Sequence, residues 1–301
     1  MKVRLKNDFL QVEIDTKGAE LHSVKRIKDG KEYLWCGNPE VWRFHAPILF
    51  PITGRLKEGY MIWEEKKYTV PNHGFARDLE HSLVESSETR AVFRLTENEE
   101  TLKAYPWSFV FETEYVLEGE KVSFKTTVKN SDSRDILFGL GSHTALLCPQ
   151  NTEEESAEDY VLEFEKEEDI QQIIPAEDAF LKSAQKDKQI LVTEKYPHVN
   201  HREIALKDNF FGDGHILTGL TSSWIALVHK ASGEKVKVNV KDYPYVVLWQ
   251  NPGKCRFVCI EPWFGLPDFT NTKHLWEEKF GLNRLKPGES FTSDQSLTFS
   301  R

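Results

Sequence analysis

The stretch Phe109-Val110-Phe111-Glu112-Thr113-Glu114-Tyr115-Val116-Leu117, followed by Glu118-Gly119-Glu120 and then Val122-Ser123-Phe124-Lys125-Thr126-Thr127-Val128, reads as a β-hairpin. Apolar and polar residues alternate with period two on both sides of a glycine turn, the pattern of strands with one face buried. The pattern recurs along the chain. Trp224-Ile225-Ala226-Leu227-Val228-His229 and Val236-Lys237-Val238-Asn239-Val240 flank Ala231-Ser232-Gly233-Glu234 as a second hairpin. Tyr245 to Trp249 and Arg256 to Ile260 continue as further strands. Helical patterns are confined to Glu99–Ala104 and Lys273–Phe280, each about two turns long and each a connector. Strands cross position 150 without a Pro/Gly/Ser-rich linker. The expected architecture is therefore all-β: one large antiparallel domain over residues 1–301, built as a β-sandwich of two packed layers.

The chain has 301 residues, 39% of them hydrophobic and 12% aromatic, which supplies a sizeable core and argues against disorder. Lys and Arg number 39 against 48 Asp and Glu, a formal charge of −9, so the overall field repels nucleic acid and anionic membranes. The longest apolar run, Tyr243–Trp249, is interrupted by Pro244 and is far short of the roughly twenty residues of a membrane helix. Met1 to Lys6 carries cations with no apolar stretch behind them, so the expectation is a cytoplasmic protein, monomer or homodimer, with reduced cysteines. Four cysteines are too few for a disulfide framework. Read as a strand, Cys255-x3-Cys259 sets its sulfurs on one face roughly 13 Å apart, too far to share a zinc with bonds of about 2.3 Å. These are structural thiols in that reading. Residues 153–195 are rich in charged and amide side chains, and Glu153-Glu154-Glu155 is a solvated loop.

Four islands gather titratable residues among Gly, Pro and aromatics at strand ends, where β proteins place their sites. They are His45–Arg55, with Arg55 delivered after Gly54; His73-Gly74-Phe75-Ala76-Arg77; Gly139-Leu140-Gly141-Ser142-His143-Thr144; and Cys259-Ile260-Glu261-Pro262-Trp263-Phe264-Gly265. The first three have plain structural readings: a turn arginine, an inert turn histidine, a core histidine bonded to a carbonyl. The fourth is different. A carboxylate at the end of an apolar strand beside an indole is tolerated mainly when it is paired or used. The glycines of the third island leave room for a ligand to approach the backbone. Together the islands suit proton transfer on a neutral polyol, with aromatic faces for a sugar ring and charged groups for its hydroxyls. The phosphate-loop, zinc-protease and nucleophile-elbow motifs are absent, and nothing in the sequence requires a metal or cofactor.

The order of the islands resembles the aldose 1-epimerase (galactose mutarotase) family, most closely its LacX-like branch, over nearly the whole chain. The marks are Pro47-Ile48-Leu49-Phe50-Pro51-Ile52-x-Gly54-Arg55, His73-Gly74-Phe75-Ala76-Arg77, His143 at a strand end, and Ile260-Glu261-Pro262-Trp263. The resemblance implies a large antiparallel β-sandwich of the galactose mutarotase type and interconversion of the α and β anomers of an aldose. It implies Glu261 as the base that takes the C1-hydroxyl proton and His143 as the acid that protonates the ring oxygen. Arg55 and His73 match positions that hold the sugar, and Asp213 in Phe211-Gly212-Asp213-Gly214-His215 matches a substrate-binding aspartate. Arg77 and Trp263 complete the expected binding set. Thr144 stands where many relatives have proline, which motivates a rival reading as a sugar binder without turnover. Arg55 with Arg77 motivates another, a hexose-phosphate mutarotase. A glycosidase would pair Asp213 with Glu261, but the histidines and the arginine do not serve that mechanism.

Overall fold

The computed structural model describes residues 1–151 and 153–300. Its frame is a nine-stranded sheet and an eight-stranded sheet, antiparallel at every pairing. The opening hairpin lies in the middle of the larger sheet as Phe109–Glu118 and Lys121–Asn130. Its period-two pattern becomes a buried row in which Leu117 faces Val122 and Tyr115 faces Phe124. The second hairpin forms Trp224–His229 and Lys235–Asn239 in the same sheet, and Ser290–Ser300 joins the two hairpins.

The two sheets pack face to face. One apolar cluster takes Tyr115, Phe124, Leu227 and Phe299 from the larger sheet and Leu217, Val246, Leu248, Val258 and Ile260 from the smaller. Because side chains alternate along a strand, burying Val258 and Ile260 between the layers sends Cys259, Glu261 and Trp263 to the opposite face. The same alternation in Tyr245–Gln250 buries Val246 and Leu248 and turns Val247 and Trp249 outward. The outer face of the smaller sheet thus carries the chemistry.

A second apolar cluster supports the first island from below. The Phe50 ring, fully buried, lies 4.8 to 6.0 Å from the rings of Phe75, Tyr105, Phe109, Phe111 and Phe138.

Two sequence expectations need adjusting. The helical segments shrink to Thr101–Ala104 and a 3-10 turn at Trp276–Glu278, because each is followed by a residue in extended conformation. In the acidic segment Glu153 and Glu154 are exposed, and Tyr160–Phe164 further on is a wholly buried strand between Glu203–Ala205 and Trp224–His229. The strand bearing Cys259 begins at Phe257, so Cys255 lies outside it, its N–H donated to the Asp208 carboxylate. All four cysteines are free. Among the described residues no helix is long and apolar enough to cross a membrane.

Removing the keystone ring should be severe. Phe50→Ala is expected to cost about 3–5 kcal/mol, as for buried aromatics generally, read as a lower denaturant midpoint at unchanged slope.

Candidate active site

Strand Phe257–Phe264 pairs antiparallel with Leu140–Ser142 through Gly141 opposite Trp263, and with Thr144–Leu147 through Thr144 opposite Ile260. Both pairings keep one register, so His143, in the break between the two short strands, falls opposite Glu261. Its Nε2 lies 3.3 Å from Glu261 Oε1. The next row places Val247 against Glu261 on the other side. The His143 N–H donates to Pro47 O at 3.0 Å, which ties the histidine to the first island. A Cβ on Gly141 would come within 2.6 Å of the Trp263 ring. The glycine that seemed to leave room for a ligand instead leaves room for the protein's own indole.

Burial dominates the electrostatics. Glu261 is 1% exposed, and desolvation raises its pKa well above the usual carboxylate range against the opposing influence of the Trp263 indole and the Arg77 guanidinium. Desolvation also lowers the His143 pKa to about 3, with the Arg77 charge adding to the effect. Both shifts favour the uncharged forms, a carboxylic acid beside a neutral imidazole. Both Glu261 oxygens, His143 Nδ1, Arg77 Nε and Trp263 Nε1 are buried without a full hydrogen bond. Buried polar atoms are nearly always paired, so such a concentration marks a place prepared for an external polar group.

The flanks are held as firmly. His73 has a left-handed backbone (φ 60°) and is locked by exchange with Gly54: its N–H donates to Gly54 O at 2.7 Å, and the Gly54 N–H donates to His73 Nδ1 at 3.0 Å. Because Nδ1 accepts, the ring proton of the neutral imidazole sits on Nε2. Gly74 follows with φ 76°, and a Cβ there would lie 2.0 Å from Phe50 O. Arg77 spans this loop, donating to Asn72 O at 2.8 Å and lying 4.3 Å over the Phe44 ring; burial lowers its pKa to about 10. Arg55 and Asp213 are exposed at the rim. All seven residues singled out in the sequence, Arg55, His73, Arg77, His143, Asp213, Glu261 and Trp263, line one cleft of about 340 Å³.

The profile of the family described as aldose 1-epimerase matches residues 1–298. The chain belongs to the aldose 1-epimerase family. It is similar to protein LacX of Lactococcus lactis subsp. lactis, with 31% identity over 306 residues and 99% of each chain covered. Among solved structures, it resembles a galactose mutarotase related enzyme of Lactobacillus acidophilus with 32% identity and a TM-score of 0.91, covering 100% of this chain and 98% of that one. A galactose mutarotase-like protein of Lactobacillus casei is 26% identical with a TM-score of 0.89, both chains covered completely. These likenesses support mutarotase chemistry of a general kind, on a carbohydrate.

Several parts of this family member's cleft were not singled out in the sequence. Trp42 stacks on His143 with centroids 4.7 Å apart, and Trp249 meets the same ring edge-on at 5.5 Å. Glu20, 5% exposed, accepts the N–H groups of His45 and Ala46 and so fixes the segment whose Pro47 carbonyl holds His143. A buried ion pair, Lys279 Nζ to Asp268 Oδ1 at 2.9 Å, stands behind the rim: Asp268 accepts the Lys57 N–H and donates its own N–H to Arg55 O. Among the described residues two groups could offer metal ligands, Glu20/His22/His45 and His143/Cys259/Glu261. In the second, burial raises the Cys259 thiol pKa, so a metal would have to displace its proton. In the first, the His22 and His45 rings stack 3.8 Å apart and 20° from parallel, and His22 Nε2 lies 3.2 Å from Glu20 Oε2.

The ion pair gives a sharp test. Lys279→Met leaves Asp268 charged and buried, and should destabilise by about 3–5 kcal/mol. Adding Asp268→Leu should restore much of that stability while the kinetics of rim binding stay impaired, which thermal unfolding and steady-state kinetics would separate.

Proposed function

We propose that this protein is an aldose 1-epimerase that interconverts the α and β anomers of an aldohexose by acid/base ring opening. The observation that carries the reading is the contact between His143 and Glu261 across adjacent strands. The hydroxyl oxygen at C1 and the ring oxygen are bonded to the same carbon, so an acid and a base that serve both must themselves be neighbours. A glycosidase needs two carboxyl groups about 5 Å or more apart, on either side of the bond it cuts.

In the forward step Glu261 takes the C1-hydroxyl proton while His143 delivers a proton to the ring oxygen, the bond from C1 to the ring oxygen breaks, and an aldehyde forms at C1. Rotation about C1–C2 and reclosure on the other face return both protons. The pair carries one ionisable proton beyond the carboxylate and neutral imidazole. Desolvation alone leaves it on Glu261; the forward step needs it on His143, a shift along the 3.3 Å contact that sugar hydroxyls donating to the carboxylate favour. After ring opening, Glu261 is again protonated and His143 neutral, the uncharged forms that desolvation favours. Arg55, His73, Arg77 and Asp213 face the other hydroxyls, and Trp263 offers its ring to the apolar face of the sugar.

The test is anomer exchange measured by NMR for glucose and galactose. Glu261→Gln and His143→Ala should each lower the catalysed rate by about 10²- to 10⁴-fold, the usual contribution of one positioned acid or base. An undiminished rate in Glu261→Gln would refute the assignment, and binding without acceleration in the wild type would favour the silent binder.

The pH profile follows from the same pair. Its working form has one proton, whichever partner holds it, so activity is lost when His143 takes up a second proton or when Glu261 loses the last one. The directions of the shifts, His143 down to about 3 and Glu261 up, place those losses on the acid and alkaline sides respectively. The value of kcat/KM should therefore show no acid limb between pH 5 and neutrality, and its alkaline limb should lie above the usual carboxylate range. An acid limb centred near 6.5 would instead show an ordinary solvated histidine.

A further inference from the structure

Among the described residues three rings meet His143, and one of them lies flat against it. His73 and Trp249 stand at 84° and 81° to the imidazole, each with its centroid 5.5 Å away. The Trp42 indole is 4.7 Å away and 29° from parallel, so its π face covers the imidazole.

The indole is held in that position by backbone and packing together. The Trp42 N–H donates to Asn38 O at 2.8 Å, and its carbonyl accepts the Trp35 Nε1–H at 2.7 Å. Its ring packs on Phe257 at 5.4 Å and on Phe44 at 5.6 Å, and it meets Trp249 edge-on at 5.8 Å. Phe44 in turn carries two guanidinium groups, Arg43 at 4.0 Å and Arg77 at 4.3 Å from its centroid, and Arg43 Nη2 donates to Asp78 Oδ1 at 2.7 Å. Half-buried at the cleft wall, Trp42 has little freedom to leave the imidazole.

The flat contact bears on where the proton can go. The forward step needs an imidazolium at His143, and most of what faces that ring opposes one. Burial and the Arg77 charge both disfavour it. Burial keeps His73 neutral and the Cys259 thiol protonated, so neither supplies a negative charge. Glu261 supplies one only after giving up its own proton. The electron-rich face of an indole attracts a cation without titrating, more strongly than the other aromatic rings and most strongly where water is excluded.

We propose that Trp42 is a positioning residue for the proton transfer: its indole face fixes the plane of the His143 ring and stabilises the imidazolium that the forward step requires. This rests on the mutarotase reading, and the experiment separates the two. Trp42 is replaced by Phe, by Leu and, at that position alone, by tetrafluorotryptophan, which keeps the outline of the indole while withdrawing electron density from its face. Anomer exchange of glucose and galactose gives kcat and KM for each protein. Nitrogen-15 NMR gives the acid midpoint of the His143 ring over the range in which the protein stays folded.

Tetrafluorotryptophan should lower kcat by about ten- to thirty-fold, the span of a desolvated cation–π contact, with KM close to that of the wild type. Trp42→Phe should retain more activity than Trp42→Leu, because it keeps an aromatic face. An unchanged kcat with tetrafluorotryptophan would overturn the proposal and leave Trp42 a steric wall. A rise in KM at constant kcat would overturn it too, in favour of a direct contact with the sugar. If the wild type turns over no sugar, the mutarotase reading falls alone and the NMR decides: an acid midpoint lowered by tetrafluorotryptophan sustains the role of the indole face, and an unchanged midpoint refutes it.

Discussion

A single backbone register governs the site. Strand Phe257–Phe264 meets two short strands that share one alignment, and the residue between them, His143, is thereby set opposite Glu261. A slip of one residue would turn Glu261 into the layer between the sheets and Ile260 into the cleft. The apolar partners Val258 and Ile260, packed against the nine-stranded sheet, are what forbid the slip. The contact between His143 and Glu261 is thus held by the same burial that holds the fold, and it needs no side-chain hydrogen bond of its own to stay in place.

This arrangement keeps several polar atoms buried and unsatisfied, a destabilising condition tolerated here because rigid neighbours leave them nowhere to go. His143 is clamped between Trp42 and Trp249 and by the Pro47 carbonyl, His73 by Gly54, and Arg77 by Asn72 and Phe44. Behind them Glu20 and the Asp268–Lys279 pair fix the loops by accepting backbone N–H groups. Fixed on strands and clamped turns, these groups would meet an external polar partner with little rearrangement.

The sheets were legible wherever one face of a strand is buried and the other wet, as in Phe109–Glu118, because alternation is then written directly in the residues. Tyr160–Phe164 was hidden because it is buried on both faces and sits in a strongly acidic neighbourhood, so composition masked a five-residue strand. Cys255 was misplaced because a strand start cannot be read to within two residues from apolar character alone. The seven cleft residues were legible through their company, Gly, Pro and aromatics at strand ends, together with a family resemblance that spans the chain. Trp42, Glu20 and Lys279 carry no such local mark; each reaches the site only through contacts distant in sequence.

The central claim is that burial beside Glu261 keeps the His143 imidazole uncharged until a sugar arrives. Nitrogen-15 NMR of the His143 ring in the unliganded protein tests it directly. The account predicts a neutral imidazole from pH 8 down to at least pH 5, consistent with a pKa lowered to about 3. An imidazolium spectrum at pH 7 would contradict it, showing a charged pair in which Glu261 is ionised before any sugar arrives.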